Sequence, residues 1–256
     1  MSSPIWTPAA LSSEAKAYKA KGWRLVEAQH RVSTLKLVDS LEDQLILENL
    51  IEATKPIVPL ECRHLDYLLS TPFRYDAPYP HGSRFRRAGR TAGVFYAAEH
   101  PETALAEMAF YRLLFFADSP DTPWPSDAAE YTAFAVALDT GHALDLTIPP
   151  LSLDAANWTH LTDYSACQNL ADAARQADVQ IIRYQSVRDP HRRANVAVLH
   201  CAAFAQRQPV ARQTWRMKLS ATGVIALCEF PRSGVSFDKD AFANDDRIAN
   251  MRWNRQ

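Results

Sequence analysis

The order of helix-forming and strand-forming segments limits the fold of this chain more than any other feature of its sequence. Helical patterns dominate the first half, where Ser40 and Asp43 open "SLEDQLILENLIEA" as a capping box and Pro101 begins a helix over residues 102–116. Strand-like segments dominate the second half. Elements sorted in this way favour an α+β fold with a mixed or antiparallel central sheet and helices packed on it. The chain has no recognisable linker, so we expect a single domain.

The remaining elements follow from local composition and periodicity. "LECRHLDYLLS" and "DYSACQNLADAARQA" are predicted helices, the second with Asp163 as its N-cap. "TPFRY" is predicted to be extended because Thr71 precedes a proline. Residues 1–35 are expected to be a peripheral cover. Strands are predicted at "GVFYAA", "YTAFAVAL", "ALDLT", "VQIIRYQSV", "NVAVLH", "TWRMKLS" and "GVIALCEF", the last two joined as a hairpin across "ATG".

Composition and charge narrow the functional classes. The 256 residues are 47% hydrophobic and 22% charged, which is ordinary for a globular protein, and the net charge of −1 gives no overall attraction to nucleic acid or membranes. The N-terminus lacks the pattern of a secretory signal. No apolar run is as long as the about 18 residues that a membrane-spanning helix needs, so we expect a cytoplasmic protein. Four widely spaced cysteines without a CxxC pair predict buried reduced thiols, not a zinc site: Cys62, Cys167, Cys201 and Cys228.

One carboxylate stands alone in an apolar helix. Glu107 lies within residues 102–116, a segment apolar almost all round and therefore expected to be buried. A buried carboxylate is costly unless it finds a cation or hydrogen-bond donors. Glu107 is thus either one half of a salt bridge to an arginine elsewhere or a carboxylate held in a cleft to face a developing positive charge.

Two basic turns are the other candidates for function. Arg84, Arg86, Arg87 and Arg90 lie on a turn with Gly82 and Gly89, and "RYQSVRDPHRR" forms a second turn. Such arginines are either solvated or arranged to bind phosphate through bidentate guanidinium groups. Ser186 is either an ordinary hydroxyl at a strand end or a pocket group, and Tyr96 is either a core residue or a surface for a ring. The combination suits a dinucleotide without a Rossmann fold, since the chain has no GxGxxG, Walker A, HExxH or GxSxG motif.

Three of these segments, in this order and spacing, resemble a known family. "GSRFRRAG", "GVFYAAEHPETALAE" and "YQSVRDPHRRANVAVL" are similar to the motifs of RES-domain toxins from bacterial RES–Xre toxin–antitoxin modules, over residues 70–200. "STLKLVDSLEDQ" resembles the longer subgroup of this family. The resemblance implies a fold like that of ADP-ribosyltransferase toxins, NAD as the substrate and no metal. It also implies an N-terminal helical extension, residues 1–69, packed on a RES catalytic core, residues 70–256.

The resemblance carries the family's site residues onto this chain. Glu107, Tyr96 and Ser186 match its catalytic positions, with Ser186 expected to orient NAD at the pocket mouth and not to act as a nucleophile. Asn195 and Arg84 are expected to bind NAD. Arg74 is the catalytic arginine that the resemblance implies, and Arg84 and Arg31 are the alternatives for this position, which the sequence leaves open.

The resemblance also implies an activity and a partner. RES-domain toxins deplete NAD by cleaving nicotinamide from ribose, through hydrolysis or phosphorolysis, and thereby arrest growth. An alternative is mono-ADP-ribosyl transfer to a protein, and a second is a nucleic-acid-directed toxin or a non-catalytic nucleotide-binding module. The partner expected is a cognate antitoxin with a helix-turn-helix domain that blocks the active site, and no direct contact with nucleic acid or a membrane is expected.

Overall fold

An eight-stranded sheet is the centre of the computed structural model, which describes residues 6–28, 34, 37–74 and 80–255. Its strands are β1 (Lys16–Glu27), β2 (Phe95–Ala98), β3 (Ala129–Asp145), β4 (Ile181–Gln185), β5 (Ala194–Val198), β6 (Ala211–Ser220), β7 (Gly223–Cys228) and β8 (Ser233–Asp238). The helices are α1 (Pro8–Glu14), α2 (Leu41–Thr54), α3 (Tyr67–Ser70), α4 (Pro101–Asp118), α5 (Ala155–Trp158), α6 (Ser165–Gln176) and α7 (Asp246–Ala249).

The pairing of the strands makes the sheet mixed and partly closed. The order is β1-β2-β5-β4-β3-β6-β7-β8, and among these described strands only the pair β3–β4 is parallel. Strand β1 pairs with β2 on one side and with β3 on the other, so β1, β2, β5, β4 and β3 close into a ring. Strands β6, β7 and β8 extend the sheet beyond β3 as antiparallel neighbours. The predicted α+β class with a mixed sheet is confirmed.

Two hydrophobic clusters share one face of this sheet. One cluster joins α4 to β6 and β7 and includes Leu105, Leu113 and Trp215. The other joins α6 to β4 and β5 and includes Leu170 and Ile182. The inside of the closed ring holds a third cluster, which includes Phe95, Phe134, Val136 and Val196. The candidate site lies between α4 and the N-terminal end of α6.

Local signals located the three longest of the described helices, α2, α4 and α6, whereas α1, α5 and α7 were not predicted. The side chain of Ser40 caps α2 by accepting a hydrogen bond from the Asp43 backbone N–H over 3.1 Å, and Pro101 lies in the first turn of α4. The predicted N-cap of α6 is displaced by one residue, because Tyr164 is the N-cap while Asp163 Oδ1 accepts from the Ser165 N–H over 2.9 Å. The hairpin between β6 and β7 is confirmed, with Ser220 opposite Gly223. The four cysteines are buried, as predicted.

Other local predictions were wrong, each for a physical reason. "TPFRY" was expected to be extended, but Thr71–Phe73 forms a 3-10 turn, since the fixed φ of proline also suits the first turn of a helix. "LECRHLDYLLS" is split into a 3-10 turn at Leu60–Cys62 and the short α3. The two strands "YTAFAVAL" and "ALDLT" are one strand, β3, because β1 supplies partners as far as Ala143 and β4 takes over from there.

The N-terminal segment is more central than its sequence indicates. Residues 1–35 were expected to be a peripheral cover, but β1 pairs with β3 from Lys16 to Glu27 and closes the ring. The lysines in the first half of β1 obscure the sequence pattern of a strand, because exposed positions of an edge strand are occupied by charged, solvated side chains. Strand β8 was not predicted either. The division into residues 1–69 and 70–256 stays a prediction.

Candidate active site

A cavity of about 420 Å³ lies between α4 and Tyr164, the N-cap residue of α6. This volume is within the range of about 300–1,000 Å³ that is usual for small-molecule pockets. Its wall mixes aromatic rings, three arginines, one carboxylate and one amide. The lining residues are Trp23, Arg24, Leu25, Ser83, Arg84, Tyr96, Ala97, Ala98, Ala104, Glu107, Met108, Tyr111, Tyr164, Tyr184, Val187, Arg188 and Asn195.

The floor of the cavity is set by strand register. Asn195 on β5 lies opposite Ala98 on β2 and opposite Tyr184 on β4, and Ala98 in turn lies opposite Trp23 on β1. Directly paired residues point to the same face of a sheet, so four strands present these side chains to one space. Tyr96 shares that face because it lies two residues before Ala98.

Glu107 is held at the cavity wall by two neutral donors. Its Oε1 accepts a hydrogen bond from Ser186 Oγ over 2.7 Å and from Asn195 Nδ2 over 2.6 Å. No ion pair reaches Glu107 from the described residues, so the salt-bridge interpretation is wrong. Within the same residues, its Oε2 has no hydrogen-bond partner, and the side chain lines the cavity. One oxygen is therefore fixed and the other faces the space where a ligand would lie.

Ser186 lies beneath this carboxylate and not at the pocket mouth. The residue is fully buried, and its Oγ also accepts hydrogen bonds from the backbone N–H groups of Arg188 over 3.2 Å and Asp189 over 3.0 Å. The hydroxyl donates once and accepts twice, which uses all of its hydrogen-bonding capacity. The expectation that Ser186 touches a ligand at the pocket mouth was therefore wrong, because tertiary packing places Glu107 between the serine and the cavity.

The turn after Ser186 is tied to α4 by a buried carboxylate. Asp189 Oδ2 accepts hydrogen bonds from Thr103 Oγ1 and from Arg193 Nε, both over 2.6 Å. Burial by itself would raise the pKa of Asp189, but the hydrogen bonds from Arg193 and Thr103 hold that pKa below its ordinary value. The charged Asp189 thus fixes the position of Ser186 relative to the helix that carries Glu107.

Asn195 contributes more than the bond to Glu107. The residue is buried, and its Oδ1 is a buried acceptor with no partner among the described residues. An unsatisfied buried amide oxygen costs about 1–3 kcal/mol, so native proteins keep few of them. This orphaned acceptor lies on a residue that lines the cavity, which makes it a candidate for a ligand or an ordered water.

Tyr96 organises the first basic turn. Its hydroxyl lies 2.8 Å from Ser83 Oγ and accepts a hydrogen bond from the Phe85 backbone N–H over 2.9 Å. Gly82 turns the chain at φ +63°, where a Cβ would lie 2.9 Å from Arg86 O. The ring of Tyr96 lines the cavity while its hydroxyl holds the turn that carries Arg84.

Arg84 is a buried cation without an acidic partner in the described part of the chain. Its Nη1 donates to the Trp158 carbonyl over 2.7 Å, and its guanidinium lies 4.6 Å from the centre of the Tyr164 ring. A buried charge normally has a counter-ion, and none of the described carboxylates supplies one here. The remaining donors of Arg84 are suited to an anionic ligand in the cavity.

Arg24 is one of the site residues that the sequence analysis missed. It lies on β1, lines the cavity and donates from Nη1 to the Tyr96 carbonyl over 3.1 Å. The alternation of Trp23 and Leu25 around it was a strand signal, but the segment was not interpreted as a strand. Arg188 is the third arginine of the wall, and it is buried against Asp245 Oδ2 at 2.9 Å.

The other candidate arginines are elsewhere. Arg74 donates to the Pro56 carbonyl over 2.8 Å and forms an ion pair with Glu52, and it does not line the cavity. The structure therefore places Arg74 outside the cavity, because the 3-10 turn at Thr71–Phe73 directs it to α2. Arg31 lies outside the described residues. Each basic turn thus supplies one arginine to the cavity, Arg84 and Arg188, and not a whole cluster.

The phenol of Tyr184 remains neutral at the cavity floor. Burial is the main cause that raises its pKa well above the ordinary value, and the negative charge of Glu107 adds to the effect. The hydroxyl of Tyr184 has no partner among the described residues and is therefore able to donate or accept towards a ligand.

Among the described residues, no cluster of three or more His, Cys, Asp or Glu side chains is suited to a metal ion, and no helix is long and apolar enough to cross a membrane.

No curated protein matches the chain at a significant level. A chain in the crystal structure of the M. tuberculosis MbcT–MbcA toxin–antitoxin complex is similar at 12% identity, with a TM-score of 0.44, over 91% of this chain and 95% of that one. The model of the RES domain matches residues 58–220, more than half of the sequence, and the chain therefore belongs to the RES-domain family.

Proposed function

We propose that this chain is the toxin of a toxin–antitoxin module and that it cleaves the nicotinamide–ribose bond of NAD. The observation that carries the proposal is how Glu107 is held in the cavity wall. Its Oε1 is fixed by Ser186 and Asn195, and its Oε2 has no hydrogen-bond partner among the described residues. A carboxylate held in this way is preorganised to face a positive charge that develops during a reaction.

The chemistry of NAD requires such a group and little else. When the bond between the ribose carbon and the pyridinium nitrogen breaks, its electron pair moves to the nitrogen, and nicotinamide leaves as a neutral molecule. The leaving group therefore needs no proton, in contrast to an ordinary glycoside, for which two carboxyl groups act together. The ribose carbon becomes oxocarbenium-like, and Glu107 stabilises that charge more in the transition state than in the ground state. Water or phosphate then adds to the carbon and loses a proton.

Arg84 and Arg24 are the cations that we assign to the pyrophosphate. Both line the cavity with Glu107, and Arg84 is buried without an acidic partner in the described chain. A planar guanidinium donates two parallel hydrogen bonds to phosphate oxygens, which fixes position as well as charge. We assign the role of family arginine to one of these two residues and not to Arg74.

Ser186 and Asn195 are positioning residues in this proposal. Ser186 acts on the substrate only through Glu107, because its hydroxyl is buried and saturated. Asn195 also holds Glu107, and its buried Oδ1 retains capacity for one more donor. Two neutral donors on one carboxylate oxygen fix the side chain without cancelling its charge, whereas an arginine in their place would cancel it.

The two other interpretations receive less support. Most arginines of the basic turns are already bound, as Arg87 is to Asp172 and Arg193 is to Asp189, which leaves few cations for a nucleic-acid backbone. A non-catalytic nucleotide-binding module would have no need of an uncompensated carboxylate in its pocket. Transfer of ADP-ribose to a protein uses the same cleavage step and differs only in the acceptor.

One experiment separates these activities. The purified chain is incubated with NAD, with NAD and inorganic phosphate, and with NAD and a cell lysate, and the products are identified by mass spectrometry. Hydrolysis gives ADP-ribose, phosphorolysis gives ADP-ribose 1″-phosphate, and transfer gives ADP-ribosylated protein. The Glu107→Gln variant is the control. Release of no nicotinamide in any of the three mixtures would overturn the proposal.

A further inference from the structure

Helix α2 carries apolar side chains that the described chain leaves exposed. The exposed fractions are 78% for Leu41, 65% for Leu45 and 61% for Leu50, and Ile46 is 52% exposed. At 3.6 residues per turn, these four side chains lie within one half of the helix circumference. We call this surface the helix face. Monomeric proteins rarely expose contiguous apolar patches of this kind unless a partner binds there.

The helix face is also acidic. Glu42 lies between Leu45 and Ile46 on the same half of the helix, and no lysine or arginine occurs from Leu41 to Thr54. The opposite side of α2 is already occupied, because Gln44 is buried and donates to Thr34 Oγ1 over 2.5 Å. The contacts that attach α2 to its own chain thus lie on the side opposite the helix face and at the C-terminal end of the helix, where Glu52 forms an ion pair with Arg74, and the four apolar side chains of the helix face stay exposed.

A second exposed surface has the opposite charge. On the outer side of β7, Ile225 is 52% and Leu227 is 56% exposed, and strand β6 presents cations directly beside them. Lys218 lies opposite Ile225, and Arg216 lies opposite Leu227. We call this surface the strand face, and it consists of Arg212, Arg216, Lys218, Ile225 and Leu227.

The described residues supply no acidic partner to the cations of the strand face. No ion pair within 4.0 Å joins Arg212, Arg216 or Lys218 to a described carboxylate. Glu130 on β3 lies opposite Arg216 and Asp238 lies at the edge of β8, so two acids border this surface. The centre of the surface is nevertheless a row of cations beside a row of aliphatic side chains.

We propose that a second copy of this chain occupies these surfaces, with the helix face of one copy packed on the strand face of the other. The aliphatic side chains of the two surfaces would bury each other, and Glu42 would approach Lys218 and Arg216. Dimensions are compatible, since a helix of 14 residues is about 21 Å long and a strand of ten residues about 33 Å. Because the two surfaces differ, a single contact of this kind is heterologous. A closed dimer forms only if the helix face of each copy packs on the strand face of the other at the same time.

Nucleic acid suits the strand face less well. A duplex would engage the cations but would leave Ile225 and Leu227 in water, and it would repel the acidic helix face. A second copy satisfies both surfaces at once, since each carries the charge and the apolar area that the other lacks. The proposal does not rest on the activity of the cavity, because none of these residues lines it.

The test is a charge-swap experiment on the purified chain by sedimentation velocity over a hundredfold range of concentration. The unsubstituted chain should sediment as a dimer or larger species at high concentration. Asn49 is exposed on the helix face, between Leu45 and Ile46. Glu42→Lys with Asn49→Lys, and separately Arg216→Glu with Lys218→Glu, should each weaken self-association at least tenfold. Combining all four substitutions in one chain should restore it, because the charges are again complementary. Lys16→Glu with Asp118→Lys, exposed charges away from both surfaces, serves as the matched control and should leave association unchanged.

Three outcomes would overturn the proposal. The first is a monomer at every concentration, and the second is self-association that neither pair of substitutions affects. The third is failure of the combined variant to regain association while circular dichroism shows that it is folded. Binding of duplex DNA by the unsubstituted chain, lost in the strand-face variant without any change in self-association, would assign the strand face to nucleic acid instead.

Discussion

Ser186 Oγ donates a hydrogen bond to Glu107 Oε1 over 2.7 Å across 79 positions of sequence. The serine is fully buried and the glutamate lines the cavity, so Ser186 lies in the interior behind Glu107. This relationship makes the serine a support for the carboxylate. It also sets the logic of the mutational predictions, since a change at either residue should alter how one carboxylate oxygen is held.

Glu107→Gln should remove most turnover and leave the fold intact. The glutamine oxygen can still accept from Ser186 and Asn195, but the negative charge that would face the oxocarbenium-like carbon is lost. Electrostatic groups of this kind contribute about 2.7–4 kcal/mol, so we expect kcat to fall by about 10²–10³-fold. NAD consumption and a thermal melt are the measurements. Glu102→Gln, on the same helix, is the matched control, and equal activity of the two variants would make Glu107 structural.

Ser186→Ala should lower kcat more than it changes KM. The substitution removes one donor to Glu107 and strands the N–H groups of Arg188 and Asp189, at a cost of about 1–3 kcal/mol in unfolding free energy for each. We also expect no ADP-ribosyl adduct on Ser186 when the reaction is quenched in progress, because a buried and saturated hydroxyl cannot attack. An adduct found by mass spectrometry, and required for turnover, would contradict the positioning role.

Arg84→Lys should raise KM for NAD about tenfold with little change in kcat. Lysine keeps the positive charge but loses the planar fork that binds two phosphate oxygens. Loss of binding that is equal in the ground and transition states appears in KM alone. Arg74→Lys is the control, since Arg74 is bound to Pro56 and Glu52 outside the cavity. A larger effect at Arg74 than at Arg84 would reverse our assignment of the two arginines.

Acid should loosen the contact between Arg188 and the C-terminal segment. Hydrogen bonds from Arg247 are the largest cause that lowers the pKa of Asp245 from 3.8 to about 2. Because the folded-state pKa is depressed, the stabilisation is complete above about pH 4 and is lost as the pH falls towards 2. A shift of that size corresponds to about 2 kcal/mol in unfolding free energy. Denaturant titrations from pH 2 to 5 should show a loss of unfolding free energy that is about 2 kcal/mol larger in the unsubstituted chain than in Asp245→Asn, which keeps the contributions of other carboxylates such as Asp189, and parallel curves would refute the assignment.

Induction of the chain in a bacterial host should deplete NAD and arrest growth. The resemblance to RES-domain toxins also leads us to propose that a helix-turn-helix antitoxin covers the cavity, so co-expression with the neighbouring gene should restore both NAD and growth. Cellular NAD is measured before and after induction, with Glu107→Gln as the inactive control. Growth arrest at constant NAD would favour transfer to a protein target, and arrest that the neighbouring gene does not relieve would remove the partner proposal.

Sequence alone determined the features that are encoded over short distances. Capping by Ser40, the proline start of α4 and the hairpin between β6 and β7 were predictable, because each depends on side chains within a few residues of one another. Contiguous motifs also identified the family and nominated Glu107, Tyr96 and Asn195, all of which line the cavity.

Only the tertiary structure decided which cations reach the cavity and what Ser186 does. Arg24 enters the site because β1 pairs with β2 and β3, segments about 70 and 110 positions away, and strand pairing at such distances leaves no local pattern. Arg74 was excluded because a 3-10 turn points it at Glu52. Ser186 lies under Glu107 because the turn that follows it is bound to α4 through Asp189 and Thr103. The periodicity of a sequence predicts which residues are buried. It does not predict whether a buried side chain lines a cavity or lies behind the residue that does, because that depends on how distant elements pack together.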